Sequence, residues 1–176
     1  MNLETKLKSV IRDVPDFPKP GILFKDISTI MLDAEISNEI LNYLHGYYLD
    51  KNIQGIAGIE SRGFLFGYPL AMKLGVPFIL IRKQGKLPYK KISLSYELEY
   101  GVSSIEMHED AIKKKQNILI HDDLLATGGS AEAAARLFEK CGGNVIGFNF
   151  LVSLSFLKGE DRLSPITDNI VNLVRY

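Results

Sequence analysis

The chain has 176 residues, enough for one well-cored domain and too few for two ordinary ones. Its composition, 46% hydrophobic and 24% charged, is that of a globular fold, and 21 basic residues balance 21 acidic ones, so no global field favours nucleic acid or a membrane surface. No run approaches the roughly 20 apolar residues of a bilayer span, the start lacks a signal-like stretch, and the lone Cys141 excludes an intrachain disulfide and fits a reducing cytoplasm.

Leu3, Leu7, Val10 and Ile11 recur at helical spacing behind Asn2, which predicts an amphipathic helix over 3–13 with Asn2 as its N-cap. Pro15, Pro18, Pro20 and Gly21 then impose an extended, helix-free connection, followed by the short apolar patch Ile22-Leu23-Phe24. Asp33 is placed to cap a second helix whose Ile36, Ile40, Leu41, Leu44 and Tyr48 share one face. Residues 54–59 read as a strand ending at Glu60-Ser61-Arg62-Gly63, and 64–74 as a helix closed by Gly75 despite Pro69. A second buried strand over 77–81 leads into Arg82-Lys83-Gln84-Gly85-Lys86. Residues 87–110 depart from this pattern and read as an exposed β-hairpin or mobile flap. Strands over 117–120, 145–154 and 170–174, with a helix over 130–140, complete the set. The alternation predicts an α/β fold: a doubly wound, mostly parallel central sheet in a single domain over 1–176. Such sheets bind ligands beyond the carboxyl ends of their strands. There the chain carries Glu60-Ser61-Arg62, Arg82-Lys83 and Asp122-Asp123.

Residues 118–130 hold the densest chemistry. An apolar run meets Asp122-Asp123, then the turn Ala126-Thr127-Gly128-Gly129-Ser130, then a helix. The small-residue turn leaves backbone N–H groups and hydroxyls uncovered at a helix N-terminus, where an anion is stabilised. The two carboxylates would repel a phosphate and suit the hydroxyls of the sugar that carries it. An isolated Asp-Asp pair is more often a solvated strand end or a cap; at this offset from the turn it reads as a phosphoribosyl grip. No Lys follows the glycines and no Gly-x-Gly-x-x-Gly occurs, which excludes a Walker-type loop and a dinucleotide fingerprint. Arg62, Arg82, Lys83 and Lys86, at two strand ends of one sheet edge, suit a polyanion, and Arg62 offers a bidentate fork for phosphate oxygens.

His121-Asp122-Asp123-Leu124-Leu125-Ala126-Thr127-Gly128-Gly129-Ser130 resembles the phosphoribosyl-diphosphate motif of type I phosphoribosyltransferases, in the form of the adenine phosphoribosyltransferase family. Four further blocks are similar in order. Pro15-Asp16-Phe17-Pro18-Lys19-Pro20-Gly21-Ile22-Leu23-Phe24-Lys25-Asp26-Ile27 matches the base-recognition segment, and Glu60-Ser61-Arg62-Gly63-Phe64 the diphosphate loop. Arg82-Lys83-Gln84-Gly85-Lys86-Leu87-Pro88 matches a basic loop, and Tyr96-Glu97-Leu98-Glu99-Tyr100-Gly101 the flap.

The resemblance implies the type I phosphoribosyltransferase fold with an N-terminal hood over 1–32 and a flexible β-hairpin flap over 83–107. It implies that adenine and 5-phosphoribosyl 1-diphosphate give AMP and diphosphate in purine salvage, with Mg²⁺ bound alongside the phosphoribosyl diphosphate and no direct protein ligand to it. Glu99 would accept the proton of the base. Asp122, Asp123, Ala126, Thr127, Gly128, Gly129 and Ser130 would hold the phosphoribosyl group, and Ser61, Arg62, Arg82, Lys83 and Lys86 the diphosphate. Leu23, Phe24, Lys25, Tyr100 and Leu124 would surround adenine, with backbone groups near Leu23 and Lys25 on its edge. A non-proline cis peptide within Glu60-Ser61-Arg62 is implied, as is a cytoplasmic homodimer, the 82–86 loop reaching toward the neighbouring site, with no nucleic-acid or membrane partner.

Without the resemblance, Leu23 and Phe24 read as core, and Glu99 and Tyr100 as an exposed hairpin charge and a turn aromatic. Departures from the family pattern are Lys25 for a common Arg, Ser130 for a common Thr, and His121 where an aliphatic residue is usual. His121 is either an additional base or a half-buried strand histidine with its tip hydrogen-bonded, and the second reading is favoured. Two rivals are open: a 6-oxo-purine transferase, disfavoured by the N-terminal Phe24-Lys25 arm in place of a C-terminal hood, and a nucleic-acid-binding regulator, which calls for a basic helix that the sequence lacks.

Overall fold

The computed structural model describes residues 2–97 and 102–176. They fall into two compact units divided between Gly46 and Tyr47. In the N-terminal unit, α1 (Leu3–Val10) is capped by Asn2, whose Oδ1 accepts from the Thr5 amide at 2.9 Å. The helix stops short of residue 13 because Ile11 is already extended and Arg12–Pro15 forms β1. β1 pairs antiparallel with β2 (Leu23–Asp26), setting Asp13 opposite Lys25 and Val14 opposite Phe24. The predicted plain connection is therefore a two-stranded ribbon. Its turn contains a cis Phe17-Pro18 bond, and the Asp16 carboxylate accepts from the Gly21 amide at 2.7 Å. A short α2 (Ser28–Met31), absent from the sequence reading, precedes α3 (Ala34–Tyr48). As expected, Asp33 caps α3, its Oδ1 accepting from the Ile36 amide at 3.0 Å. Leu7, Ile27, Ile30, Ile40 and Leu44 are buried.

The second unit is built on seven strands: β3 (Gly55–Ile59), β4 (Phe78–Lys83), β5 (Lys91–Glu97), β6 (Val102–His108), β7 (Asn117–Leu125), β8 (Asn144–Ser153) and β9 (Ile170–Arg175). Their order is β5-β6-β4-β3-β7-β8-β9, with β4, β3, β7, β8 and β9 mutually parallel and β6 antiparallel to both β4 and β5 at one edge. This is the mostly parallel α/β sheet expected. The helices are α4 (Gly63–Leu74), α5 (Gly129–Lys140) and the short α6 (Gly159–Leu163), which follows a 3₁₀ turn at Ser155–Leu157. Ile79, Ile81, Ile118, Ile120 and Phe148 pack with Ala134, Leu137 and Phe138 of α5 in one core cluster. Fully burying an aliphatic or aromatic side chain of this size contributes about 1.5–3 kcal/mol. Gly75 closes α4 in the left-handed conformation at φ 68°, with the Val76 amide returning to the Ala71 carbonyl.

Two expectations are corrected. The strand predicted over 117–120 continues to Leu125, because β8 runs alongside it and pairs Asp122 with Phe150 and Leu124 with Val152. Both acidic residues thus lie inside a strand. The stretch read as an exposed hairpin is stitched to the sheet through Arg82–Glu106 and Lys83–Ile105 pairs, and Ile105, Glu106 and Met107 are buried. Glu106 tolerates burial because its carboxylate accepts from the Gly85 amide at 3.0 Å and pairs with Lys91 at 2.9 Å. Glu99 and Tyr100 lie outside the described residues. Among the described residues, no helix is long and apolar enough to cross a membrane.

Candidate active site

β4, β3 and β7 are parallel neighbours, so their carboxyl ends meet at one edge of the sheet. At the end of β3 the Glu60-Ser61 peptide is cis, as the resemblance implied, and α4 begins two residues later. Glu60 accepts from the Lys83 amide at 2.8 Å and lies 3.3 and 3.4 Å from the Nε and Nη2 of Arg82. Burial pulls the Glu60 carboxyl upward, but the Lys83 amide and the Arg82 guanidinium together hold it below its ordinary value. Arg82 also donates from Nη1 to the Lys86 carbonyl at 3.1 Å. Its fork therefore organises the basic loop, while Lys83 and Lys86 lie exposed on that loop.

Across the edge, Arg62 Nε lies 3.0 Å from Asp123 Oδ2, with the Arg62 side chain half exposed and that of Asp123 buried. Asp122 Oδ1 accepts from the Asp123 amide at 2.9 Å. Burial and the adjacent Asp123 charge push the Asp122 carboxyl well above the usual carboxylate range. Burial also raises Asp123, opposed by the Arg62 cation. The two carboxylates titrate as a pair and need hydrogen-bond donors to carry full charge. Sugar hydroxyls are such donors.

The chain leaves β7 through Ala126 and Thr127 and enters α5 at Gly128, whose φ of 80° only glycine adopts at ease. A concavity of about 90 Å³ is lined here by Asp122, Leu124, Ala126, Thr127, Gly129 and Ser130. Of the predicted phosphoribosyl residues, Asp122, Ala126, Thr127, Gly128, Gly129 and Ser130 line this hollow at a helix N-terminus, and Asp123 does not. Tyr96 of β5, not anticipated, places its hydroxyl 3.0 Å from Ser130 Oγ. Gly63 was also missed as a functional position. A Cβ on it would stand 2.7 Å from the His121 carbonyl oxygen and 3.1 Å from Asp122 Oδ1, so glycine is what lets Arg62 and the start of α4 close on β7.

His121 is fully buried, not half-buried, and its side chain joins no part of the hollow. Its Nδ1 lies 2.7 Å from Asn149 Oδ1, and Asn149 Nδ2 donates to the Val171 carbonyl at 3.4 Å. With the amide so oriented, Nδ1 carries the proton. Nε2 has no hydrogen-bond partner among the described residues. Burial lowers the pKa to about 4, so the ring is neutral and structural.

In the N-terminal unit, Leu23 is half exposed on β2, and Phe24 meets Phe17 edge-on at 5.1 Å. Neither is core. Lys25 is buried and paired with Asp13 across the ribbon.

A family model described as "Phosphoribosyl transferase domain" matches residues 25–173, and with the fold and the hollow it defines the class as phosphoribosyltransferase. A curated adenine phosphoribosyltransferase from Cytophaga hutchinsonii is 46% identical over 174 residues, covering 99% of this chain and 96% of its own. Among solved structures, adenine phosphoribosyltransferase from Thermoanaerobacter pseudethanolicus aligns with a TM-score of 0.94 at 45% identity, covering 99% of this chain and all (100%) of that one. The Saccharomyces cerevisiae enzyme, crystallised with an imino-altritol bisphosphate and adenine, aligns with a TM-score of 0.89 at 38% identity, covering 97% of this chain and 98% of that one. The chain belongs to the adenine phosphoribosyltransferase family.

Proposed function

We propose that the protein transfers the phosphoribosyl group of 5-phosphoribosyl 1-diphosphate to adenine, forming AMP and releasing diphosphate in purine salvage. The observation that carries this reading is the meeting, at one sheet edge, of the Asp122–Asp123 pair, the 126–130 turn and Arg62. The bond from the ribose anomeric carbon to diphosphate breaks as a ring nitrogen of adenine bonds to that carbon. The sugar passes through an oxocarbenium-like state. Asp122 and Asp123 accept hydrogen bonds from the ribose hydroxyls and fix the ring. The turn from Ala126 to Ser130 holds the 5-phosphate with backbone N–H groups and the hydroxyls of Thr127 and Ser130. Ser61, Arg62, Lys83 and Lys86 stabilise charge on the departing diphosphate, with Arg82 holding their loop in shape through Glu60. The proton lost by the base goes to Glu99, the candidate general base. Leu23, Phe24, Lys25, Tyr100 and Leu124 form the adenine surroundings in this reading.

The carboxylate oxygens of Asp122 and Asp123 are hard acceptors that would hold Mg²⁺ through its waters, with no direct protein ligand to the ion. When bound with the substrate, the ion supplies charge neutralisation on the diphosphate. The 46% identity to an enzyme of this name over nearly the full chain supports the same reaction. A single catalytic domain over 1–176, a homodimer and a cytoplasmic setting are part of the proposal. The test is a product assay with phosphoribosyl diphosphate, Mg²⁺ and a panel of purines. AMP formed from adenine, with no nucleotide from hypoxanthine or guanine, is the expected result; preferential use of a 6-oxo purine overturns the reading.

A further inference from the structure

Residues 154–163 have no place in the scheme above, yet they cover the back of the 126–130 turn. The Leu154 amide donates to the Leu125 carbonyl at 2.9 Å. Gly159, the first residue of α6, is buried, and a Cβ on it would overlap the Ala126 carbonyl oxygen and stand 2.9 Å from the Leu125 side chain. From the other side, a Cβ on Gly128 would stand 2.9 Å from the Gly159 carbonyl oxygen and 3.5 Å from the Cβ and Cδ of Arg162. Two backbones therefore touch where neither tolerates a side chain. Three ties hold α6 in place. Arg162 Nε pairs with Glu132 of α5 at 2.8 Å, Asn172 of β9 donates to Glu160 at 2.8 Å, and Leu163 is fully buried.

We infer that α6 is the positioning element of the phosphate turn, with Gly159 and Arg162 as its positioning residues: Gly159 sets how deep the turn sits, and Arg162 locks α6 to the helix that the turn opens. The turn's own residues are small and Gly128 is left-handed, so backing from outside matters, and α6 supplies it at Ala126 and Gly128 as the Tyr96 hydroxyl does at Ser130. Residues 126–130 line the hollow, so a shift of the Ala126 carbonyl would turn the adjoining peptide N–H relative to a phosphate held there. This rests on the reading that residues 126–130 hold the 5-phosphate.

The test compares Gly159→Ala, Arg162→Gln and Arg162→Lys with the full-length wild type. Misplacing a binding group by about 1 Å costs up to about 100-fold. Gly159→Ala is expected to raise the KM for phosphoribosyl diphosphate and the Kd for AMP by about 10- to 100-fold, with kcat and the KM for adenine within about threefold. Arg162→Gln should move the same two constants by about threefold to tenfold, and Arg162→Lys, which keeps a cation for Glu132, should restore much of that loss. A Gly159→Ala protein with wild-type KM for phosphoribosyl diphosphate overturns the inference, as does an equal rise in both KM values. If Gly159→Ala does not fold, the Arg162 pair decides by the same criteria. A wild type that makes no AMP overturns the functional reading itself, whereas an active wild type with indifferent variants overturns only the role of α6.

Discussion

Arg62 Nε stands 3.0 Å from Asp123 Oδ2, so the residue expected to grip diphosphate is paired with one expected to grip the sugar. The pair joins the ends of β3 and β7 and gives a buried carboxylate its counter-ion. Arg62→Ala leaves Asp123 buried without that cation. Because Arg62 is 45% exposed, the loss of stability at pH 7 is expected in the lower range for a broken buried pair, about 1–3 kcal/mol. Below the range where the raised Asp123 carboxyl takes up its proton, the loss should shrink. Urea unfolding at several pH values checks both points. The same variant should bind phosphoribosyl diphosphate at least about tenfold more weakly.

Removing the Asp122 charge has the opposite effect on stability from removing Arg62. Its carboxyl is raised in the folded state by burial and by Asp123, so the folded protein holds a proton that the unfolded chain releases. Stability therefore falls as pH rises from the ordinary carboxylate range through the folded value. Asp122→Asn lacks that penalty and is expected to unfold at higher urea than wild type at pH 7, with the difference closing in acid. It should nonetheless raise the KM for phosphoribosyl diphosphate, as should Asp123→Asn. Unchanged kinetics in both would sink the diol grip.

For His121→Val, turnover near that of wild type is expected, since the ring is buried behind the strand and neutral. The pH dependence of stability is where it should differ. With a folded pKa of about 4 against an ordinary 6.5, the unfolded chain binds more protons between these values, so stability rises with pH across that window. The shift corresponds to about 3 kcal/mol, present as a penalty below pH 4 and absent above pH 6.5. His121→Val should lose this rise. A tenfold or greater fall in kcat would instead make the ring part of the chemistry.

Glu99→Gln addresses the proton acceptor. General-base removal typically costs about 10²- to 10⁴-fold in the chemical step. Single-turnover formation of AMP, with phosphoribosyl diphosphate binding unchanged, is the measurement. A near wild-type rate in a regime limited by chemistry assigns the proton elsewhere.

Much of the fold could be read residue by residue wherever local chemistry decides it. Asn2, Asp33 and Gly75 end their helices as their side chains, or the lack of one, demand. The sheet was legible from buried apolar runs. What was not legible depends on neighbours. Asp122 and Asp123 look like a strand's end, and only the length of β8 beside them keeps the strand going. Arg12–Pro15 is charged and ends in proline, and it becomes a strand because β2 folds back on it. Gly159-Glu160-Asp161-Arg162 has no apolar period, so α6 is set by close packing on the turn rather than by its own pattern. The hollow around Asp122 and residues 126–130 was visible in a single segment. Glu60, Gly63 and Tyr96 stand inside the blocks that carry the resemblance, but their partners Lys83, His121 and Ser130 are distant in sequence and left no local signal.

The parallel order β4-β3-β7 has a kinetic consequence. Glu60 meets Arg82, and Arg62 meets Asp123, only after distant stretches of chain have been laid side by side, since parallel neighbours here are joined by long crossovers. Contacts of this kind carry their loop-closure cost before any reward and form late. Regain of catalysis during refolding should therefore lag behind regain of helical signal, making enzymatic competence a clock for the last step of sheet assembly.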